Sequence, residues 1–369
     1  MDVYGAADAV WGSLRATRWD PPGGASGGEE RRRTYVFALE QAEQMFRAAA
    51  GVGPATRPLL IFYGLSQAGR AIAAAASRIA GDEGWRLEGH GISCTPDGLR
   101  GELPDIRVMV GRPGSKGSFV RLSQLLGSPL WDKSFPVTLN TLWDFLPENR
   151  LSPLRDSGES RRTPLYVSRP DLFTEPHPLA SVAVAHFPPW VVNSPEAFNR
   201  FTDYLSSFPE ARGYHSFHRE SGKPDAAPVF NVQIDGWGEL YINWELPSRA
   251  AVSPSGSLAF VMDVTRCYSG SSYFFPALGT CDRSLHPLMA WWAVLHALSM
   301  LARYQPAEWA AHINVDASRH AVPLERILNE AIGTIPNIIA EAIDQVTNPR
   351  SYLASVDEWG PGVIEPSAW

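Results

Sequence analysis

The sequence predicts an α+β fold, in which helices from the two ends of the chain pack together as a bundle and a mostly antiparallel sheet is inserted between them. Apolar residues recur at helical spacing after Thr34 and again after Pro276. Between these regions, runs of β-branched and aromatic residues are separated by turn residues, which is typical of strands. Because each helical region has an apolar face to bury, we expect the two regions to pack on each other.

The changes of pattern divide the 369-residue chain into four parts. Residues 1–33 include a Pro/Gly-rich and then charged stretch, and we interpret them as a flexible N-terminal segment. Residues 34–90 form an N-terminal helical part, and residues 91–275 form a strand-rich middle region. Residues 276–369 form a C-terminal helical part that is expected to pack on residues 34–90.

Each helical part contains two predicted helices. In the N-terminal part, an amphipathic helix begins at Thr34, and a second helix begins after Pro58 and is apolar on almost every side, as a buried helix is. In the C-terminal part, residues 288–304 are nearly all apolar. Residues 324–346 are amphipathic, with a bend expected at Pro336 because proline lacks the backbone donor.

The middle region contains five predicted strands, at 105–111, 180–186, 229–234, 239–244 and 258–265. The last three are separated by turn residues, so we expect them to form an antiparallel meander. Residues 194–207 have the pattern of one intervening helix, and residues 149–162 are polar and expected to be a loop.

The composition argues against several classes of protein. A net charge of −7 does not favour a nucleic-acid partner, because phosphate binding needs a basic surface. The three cysteines lie far apart and form no CxxC pair, so we predict no disulfide framework, no metal and no cofactor. No apolar stretch reaches the roughly 18 to 20 residues of a membrane helix, and the N-terminus lacks a signal-peptide pattern. We therefore expect a cytoplasmic protein.

The segment around Ser66 has two interpretations. Gly64-x-Ser66-x-Ala68 differs by one residue from the GxSxG nucleophile elbow of serine hydrolases. One continuous helix that begins after Pro58 explains the same apolar run, and no HGGG-type oxyanion motif is present. The helix is favoured.

A glycine-rich loop at residues 111–117 follows the first predicted strand of the middle region. Its backbone amides are able to hold a phosphate, but its spacing departs from the Walker motif GxxxxGK[ST]. Glycines serve any tight connection, so an ordinary turn is favoured over a phosphate site.

Two histidine patterns are partial matches to known sites. His215 and His218, with Glu220 nearby, lie in a loop without helical support, so we expect solvated side chains rather than a metal site. Arg303 and His312 are similar to the arginine–histidine pair of HEPN-type ribonucleases, but they are farther apart than that motif allows. The helix dipole alone explains an arginine near a helix C-terminus.

Polar residues on the two most apolar helices provide the main candidate site. Tyr63, Gln67 and Arg70 lie three or four positions apart and share one face, and His296 shares a face of the later helix with Arg303. A charge on a buried helix needs a polar partner or a water-filled cavity. The sequence favours a buried hydrogen-bond network, and the alternative is a ligand pocket in which Tyr63, Gln67, Arg70 and His296 bind the ligand.

Three stretches stand out by their sequence and order: RPLLIFYG at 57–64 with Gln67, GHGIS at 89–93, and LSMLARY at 298–304 with Pro306 and Trp309. Together they resemble the YaaC-like family of bacterial proteins, from about residue 34 to residue 347. This resemblance implies no particular biochemical activity. It does draw attention to His90, which lies between two glycines, and His90 and Arg303 are the candidate catalytic residues.

Three hypotheses for the function remain. A non-catalytic module that binds a protein partner or a small phosphorylated ligand is favoured, because no catalytic motif is intact. The second is an enzyme that acts on a nucleotide or nucleic-acid substrate, such as a HEPN-like nuclease, with His90, Arg70 and Arg303 around one pocket. The third is a serine hydrolase that uses Ser66.

Overall fold

Apolar side chains at helical spacing at both ends of the chain build the main core of the protein. The computed structural model describes residues 3–79, 84–131, 137–155, 158–173, 178–193, 197–217, 228–246, 253–279 and 281–348. Its helices are α1 (Val3–Ala16), α2 (Glu29–Ala50), α3 (Arg57–Ala75), α4 (Ser118–Leu125), α5 (Leu139–Asp144), α6 (Pro189–Val192), α7 (Ala197–Ser206), α8 (Pro254–Val264), α9 (Pro287–Tyr304), α10 (Pro306–His312) and α11 (Ala321–Thr347).

Two antiparallel sheets lie in the middle of the chain. Their strands are β1 (Ile92–Cys94), β2 (Arg107–Val110), β3 (Val137–Thr138), β4 (Leu165–Val167), β5 (Asp171–Phe173), β6 (Leu179–Phe187), β7 (Asn231–Val232), β8 (Gly238–Glu245), β9 (Arg266–Tyr268) and β10 (Ser271–Phe274). The small sheet has the order β1-β2-β3, and the large sheet has the order β7-β8-β6-β4-β10-β9, with β5 also paired to β6. This arrangement confirms the predicted α+β fold.

Helix α3 packs closely against both N- and C-terminal helices, and glycines permit the close approach. Helix α3 packs against α2, α9 and α11. A Cβ atom at Gly69 would lie 2.7 Å from the Trp292 ring on α9, and one at Gly64 would lie 2.8 Å from the Phe46 ring on α2. Helices α1–α5 and α9–α11 share one apolar core with the small sheet, whereas the large sheet has a second core with α6, α7 and α8.

Residues 1–33, which the sequence predicts to be a flexible segment, include helix α1 and several close packing contacts. Helix α1 packs against α11, and its Trp11 is 4% exposed. Within the stretch expected to be a loop, Gly23 has a φ of 55°, and a Cβ atom there would collide with the Ala75 carbonyl at the end of α3. Arg31 donates to the carbonyl of Ala74 (2.6 Å), in the last turn of α3, where carbonyls lack helical partners, and to that of Ile79 (3.1 Å), which follows the helix. These residues serve close packing rather than flexibility.

The strand predicted at 258–265 is wrong, because residues 258–264 belong to helix α8 and Thr265 is its C-terminal cap. The Ser253 hydroxyl accepts a hydrogen bond from the Gly256 amide at 3.0 Å and caps the helix, and Pro254 occupies its first turn. A short apolar run does not distinguish a strand from a helix by its period. The structure does contain the helices predicted at 194–207 and 288–304, as α7 and α9. Among the described residues, no helix is long and apolar enough to cross a membrane.

Candidate functional site

A cavity of about 200 Å³ lies between α3, α9 and the segment that leads into β1. We call it the α3–α9 pocket. Helix α3 contributes Leu59, Phe62 and Tyr63, the β1 segment contributes His90, Ile92 and Ser93, and α9 contributes His296, Ser299, Met300, Arg303 and Tyr304. The described lining contains no acidic side chain, so Arg303 makes the pocket electropositive.

The Arg303 side chain is held by a tyrosine rather than by a carboxylate. Its Nη1 donates to the Tyr63 Oη at 2.7 Å, which joins α9 to α3 across the mouth of the pocket. No carboxylate of the described residues forms a salt bridge with this guanidinium. Its remaining N–H groups are therefore available to an anion, for which the planar guanidinium is well suited.

His296 forms the floor of the pocket and is only 1% exposed. Its ring centroid lies 5.2 Å from that of Phe62 and 6.0 Å from that of His90. Neither ring nitrogen has a hydrogen-bond partner. Burial, assisted by the nearby charge of His90, lowers the pKa of His296 to about 3, so the imidazole is neutral at physiological pH.

The backbone around His90 is fixed by the glycine-rich loop at 111–117 and by the first turn of α4. The Phe119 amide donates to the His90 carbonyl at 2.9 Å, and the Gly111 amide donates to the Gly91 carbonyl at 2.8 Å. Gly91 has a φ of 69°, and a Cβ atom at Gly117 would collide with the Gly91 backbone. This loop thus positions the exposed His90 side chain at the pocket.

The structure brings four of the sequence-predicted residues together: Tyr63, His90, His296 and Arg303 all line the α3–α9 pocket. Gln67 and Arg70 do not line it, although they are on α3, and Arg70 is exposed. Sequence reasoning missed Ser93, which follows the GHGI stretch, and it also missed Phe62 and Met300. Apolar residues such as these give no signal that separates a pocket wall from a core.

The other motifs do not form sites. Ser66 lies inside the continuous helix α3, so the nucleophile elbow is wrong because no strand-to-helix turn exists there. His215 lies 3.2 Å from Glu245, whereas His218 and Glu220 are outside the described residues. His312 has its ring 6.2 Å from that of His320 and does not line the pocket with Arg303. No group of three possible metal-ligating side chains occurs in the described ranges.

The YaaC-like protein family matches residues 18–343, which is most of the chain. The chain belongs to the YaaC-like family. The YaaC-like region includes every residue of the α3–α9 pocket, and it begins after α1 and ends within α11. No curated protein and no solved structure gave a significant match.

Proposed function

We propose that this YaaC-like chain is a ligand-binding module whose α3–α9 pocket takes a small molecule with a phosphate or a similar anionic group. The observation that carries the proposal is the position of Arg303 in this pocket. Arg303 has no carboxylate partner among the described residues, and the pocket has no acidic lining. An anion that enters this pocket gains charge-assisted hydrogen bonds and meets no like charge.

The neighbouring side chains support recognition of a small polar ligand. The hydrogen bond from Arg303 fixes the Tyr63 hydroxyl at the mouth of the pocket, and the exposed imidazole of His90 adds a second polar group. Phe62 and Met300 supply apolar contacts beside them. A few placed polar groups in an otherwise apolar cavity are the usual composition of a ligand site. At about 200 Å³, the cavity is smaller than the roughly 300–1,000 Å³ of most ligand pockets, so it favours a small anion.

The distribution of tryptophan favours a ligand over a protein partner. Binding patches on protein surfaces are rich in exposed aromatic anchors. Among the described tryptophans, Trp19 is 87% exposed and stands alone, whereas most of the others, including Trp143, Trp291 and Trp292, are buried. Tryptophan in this protein mainly fills the core.

The test is isothermal titration calorimetry of the full chain with inorganic phosphate, sugar phosphates and nucleoside monophosphates. Arg303→Gln is expected to weaken binding by at least about tenfold, because a charged hydrogen bond is worth roughly 1.5–3 kcal/mol. Arg212→Gln, which removes an exposed arginine outside the pocket, is the matched control and should bind normally. Equal affinity in Arg303→Gln, or no binding of any of these anions, would contradict the proposal.

A second candidate function is an enzyme that acts on a nucleotide or nucleic-acid substrate. One observation favours it: the rings of His90 and His296 lie 6.0 Å apart beside Arg303, one exposed and one buried. Because His296 is neutral, its imidazole is limited to accepting a proton, which leaves His90 to donate one to the same phosphate ester. Product analysis with nucleoside triphosphates and single-stranded RNA tests it. If His90→Asn and His296→Asn both form product at an unchanged rate, this mechanism is excluded.

A further inference from the structure

A second cavity of about 290 Å³ lies at one end of the large sheet, apart from the α3–α9 pocket. Arg161 and Thr163 precede β4 along its wall, Pro189 and Trp190 follow β6, and Trp237 precedes β8. We call it the Trp190–Trp237 pocket. Its walls are dominated by two indole rings and by proline.

The two indole rings are held in place from outside the pocket. The guanidinium carbon of Arg150 lies 4.7 Å from the Trp237 ring centroid, and that of Arg162 lies 5.3 Å from the Trp190 ring centroid. The ring of Tyr204 packs against Trp190 in a T-shaped arrangement, with centroids 5.6 Å apart. Cations stacked on an indole fix its orientation, so these rings are preorganised as a stacking surface.

The arginines around this pocket do not make it an anion site. Arg161 donates to the Asp144 carboxylate at 2.8 Å and to the carbonyls of Arg150 and Asn149, both at 2.7 Å. Arg150 pairs with Asp235 at 3.2 Å, and Arg162 pairs with Asp203 at 3.0 Å. Because each of these charges has a carboxylate partner, the chemistry of the pocket is that of aromatic rings and neutral polar groups.

Thr163 supplies one such neutral group. The residue is 2% exposed, and its hydroxyl has no hydrogen-bond partner. Its backbone is satisfied separately, because the Tyr204 hydroxyl accepts from the Thr163 amide and donates to the Thr163 carbonyl. A buried hydroxyl without a partner is costly, and a ligand with a polar edge in this pocket removes the cost.

A backbone irregularity sets the position of the Trp190 wall. The pairing of β6 with β8 shifts its register between Ala185 and Phe187, and His186 within this bulge has a φ of 79°. A residue other than glycine rarely adopts such a φ. The bulge redirects the chain immediately before Pro188, and bulges of this kind are frequent beside functional sites.

We propose that the Trp190–Trp237 pocket binds a planar heteroaromatic ring of nucleobase size. The ring stacks on the indole surfaces, and a nitrogen or exocyclic group at its edge forms a hydrogen bond with the Thr163 hydroxyl. An aliphatic ligand leaves this hydroxyl without a partner and gains nothing from stacking. The inference is independent of the anion proposed for the α3–α9 pocket.

Saturation-transfer NMR and calorimetry on the full chain test this inference, with adenosine and uridine as probes and ribose alone as the non-aromatic control. We expect transfer to the base protons and little transfer to ribose alone. Thr163→Val keeps the size of the side chain and the backbone bonds to Tyr204, and it should weaken adenosine binding at least fivefold without lowering the melting temperature. Trp190→Leu should weaken it at least tenfold.

Two further variants distinguish adenosine binding in this pocket from binding elsewhere on the protein. Trp19→Leu removes an exposed tryptophan that does not line the Trp190–Trp237 pocket and should bind adenosine normally. Arg303→Gln, which alters the α3–α9 pocket, should also bind adenosine normally. The inference is overturned if the base protons show no transfer, if ribose binds as well as adenosine, or if Thr163→Val binds with unchanged affinity. Thr163→Val disrupts no hydrogen bond of the structure and is expected to fold. It therefore tests the inference even if Trp190→Leu does not fold.

Discussion

At the scale of single residues, the α3–α9 pocket combines a cation and a neutral base that lack the partners expected for such groups. Arg303 has a tyrosine where a carboxylate is usual, and both ring nitrogens of His296 lack hydrogen-bond partners. Arg303 is exposed to solvent, whereas a buried imidazole without partners weakens the folded protein, so His296 in particular points to a bound ligand as the missing partner.

Arg70→Ala tests whether Arg70 belongs to the ligand site, as the sequence pattern suggests, or lies outside it, as in the structure. The sequence places Arg70 on the same helix face as Tyr63, but in the structure Arg70 is exposed and does not line the pocket. We expect this substitution to change the affinity for the anionic ligand by less than about twofold, within the scatter of distant surface changes. Calorimetry of Arg70→Ala and Arg303→Gln side by side measures this affinity. A tenfold loss of affinity in Arg70→Ala would show that Arg70 contacts the ligand.

His296→Phe is expected to abolish or strongly weaken ligand binding while leaving the fold intact. Phenylalanine has a similar shape, and it removes two buried nitrogens that have no partner. The free energy of unfolding should stay constant or rise by up to about 1–2 kcal/mol. Urea unfolding measures this value, and a loss of more than about 2 kcal/mol would show that the imidazole has a polar partner in the unliganded protein.

At the scale of elements, the glycine-rich loop at 111–117 determines the position of His90, a candidate catalytic or binding residue. The loop at 111–117 forms backbone hydrogen bonds with residues 88–91, and these bonds fix His90 at the pocket although the imidazole itself is exposed. The amides of Gly111 and Ser118 donate to the carbonyls of Gly91 and Gly89, so they are not free to hold a phosphate. The loop therefore holds the backbone that carries His90 and does not itself bind the ligand.

Gly117→Ala tests this support. The added methyl group would collide with the Gly91 backbone, so the two segments must separate and His90 must move. We expect a loss of about 1–3 kcal/mol in the free energy of unfolding together with weaker ligand binding. Gly53→Ala is the matched control, because a Cβ atom there contacts nothing within 4 Å. Normal ligand affinity in a folded Gly117→Ala protein would refute the supporting role.

At the scale of the whole molecule, buried histidines link stability to pH. Burial lowers the pKa of both His286 and His296 to about 3, with smaller contributions from the charges of Arg266 and His90 respectively. The unfolded chain binds protons on these histidines below their ordinary pKa of about 6.5, whereas the folded protein does not until near pH 3. The free energy of unfolding should therefore fall as the pH falls through this window.

Urea unfolding at about pH 7, 6 and 5 measures this dependence, above the range in which most carboxylates titrate. The contribution of His296 is the difference in slope between the protein and His296→Phe, and the variant should be less sensitive to acid. Burial raises the pKa of Glu148, which acts in the opposite direction and is common to both proteins. Identical slopes would contradict a neutral, buried His296.

The sequence predicts the fold better than it predicts the site. The long apolar runs of α3 and α9 favour helices, and they predict the α+β arrangement that the structure has. The short run at 258–265 was misassigned, because a helix cap at Ser253 decided its structure rather than its period. For the site, helical spacing selected Tyr63, His296 and Arg303, but only tertiary packing separates Tyr63 from Gln67 and Arg70 on α3.

The packing of α3 between α2 and α9 has a consequence for how the protein is made. Helix α3 leaves the ribosome more than two hundred residues before α9 is complete. At synthesis rates of about 5–20 residues per second, the apolar surface of α3 stays without its α9 partner for roughly 10 to 50 s. Contacts between such distant parts of the chain also slow folding. Nascent chains of this protein are therefore expected to depend on chaperones until their last quarter has been synthesised.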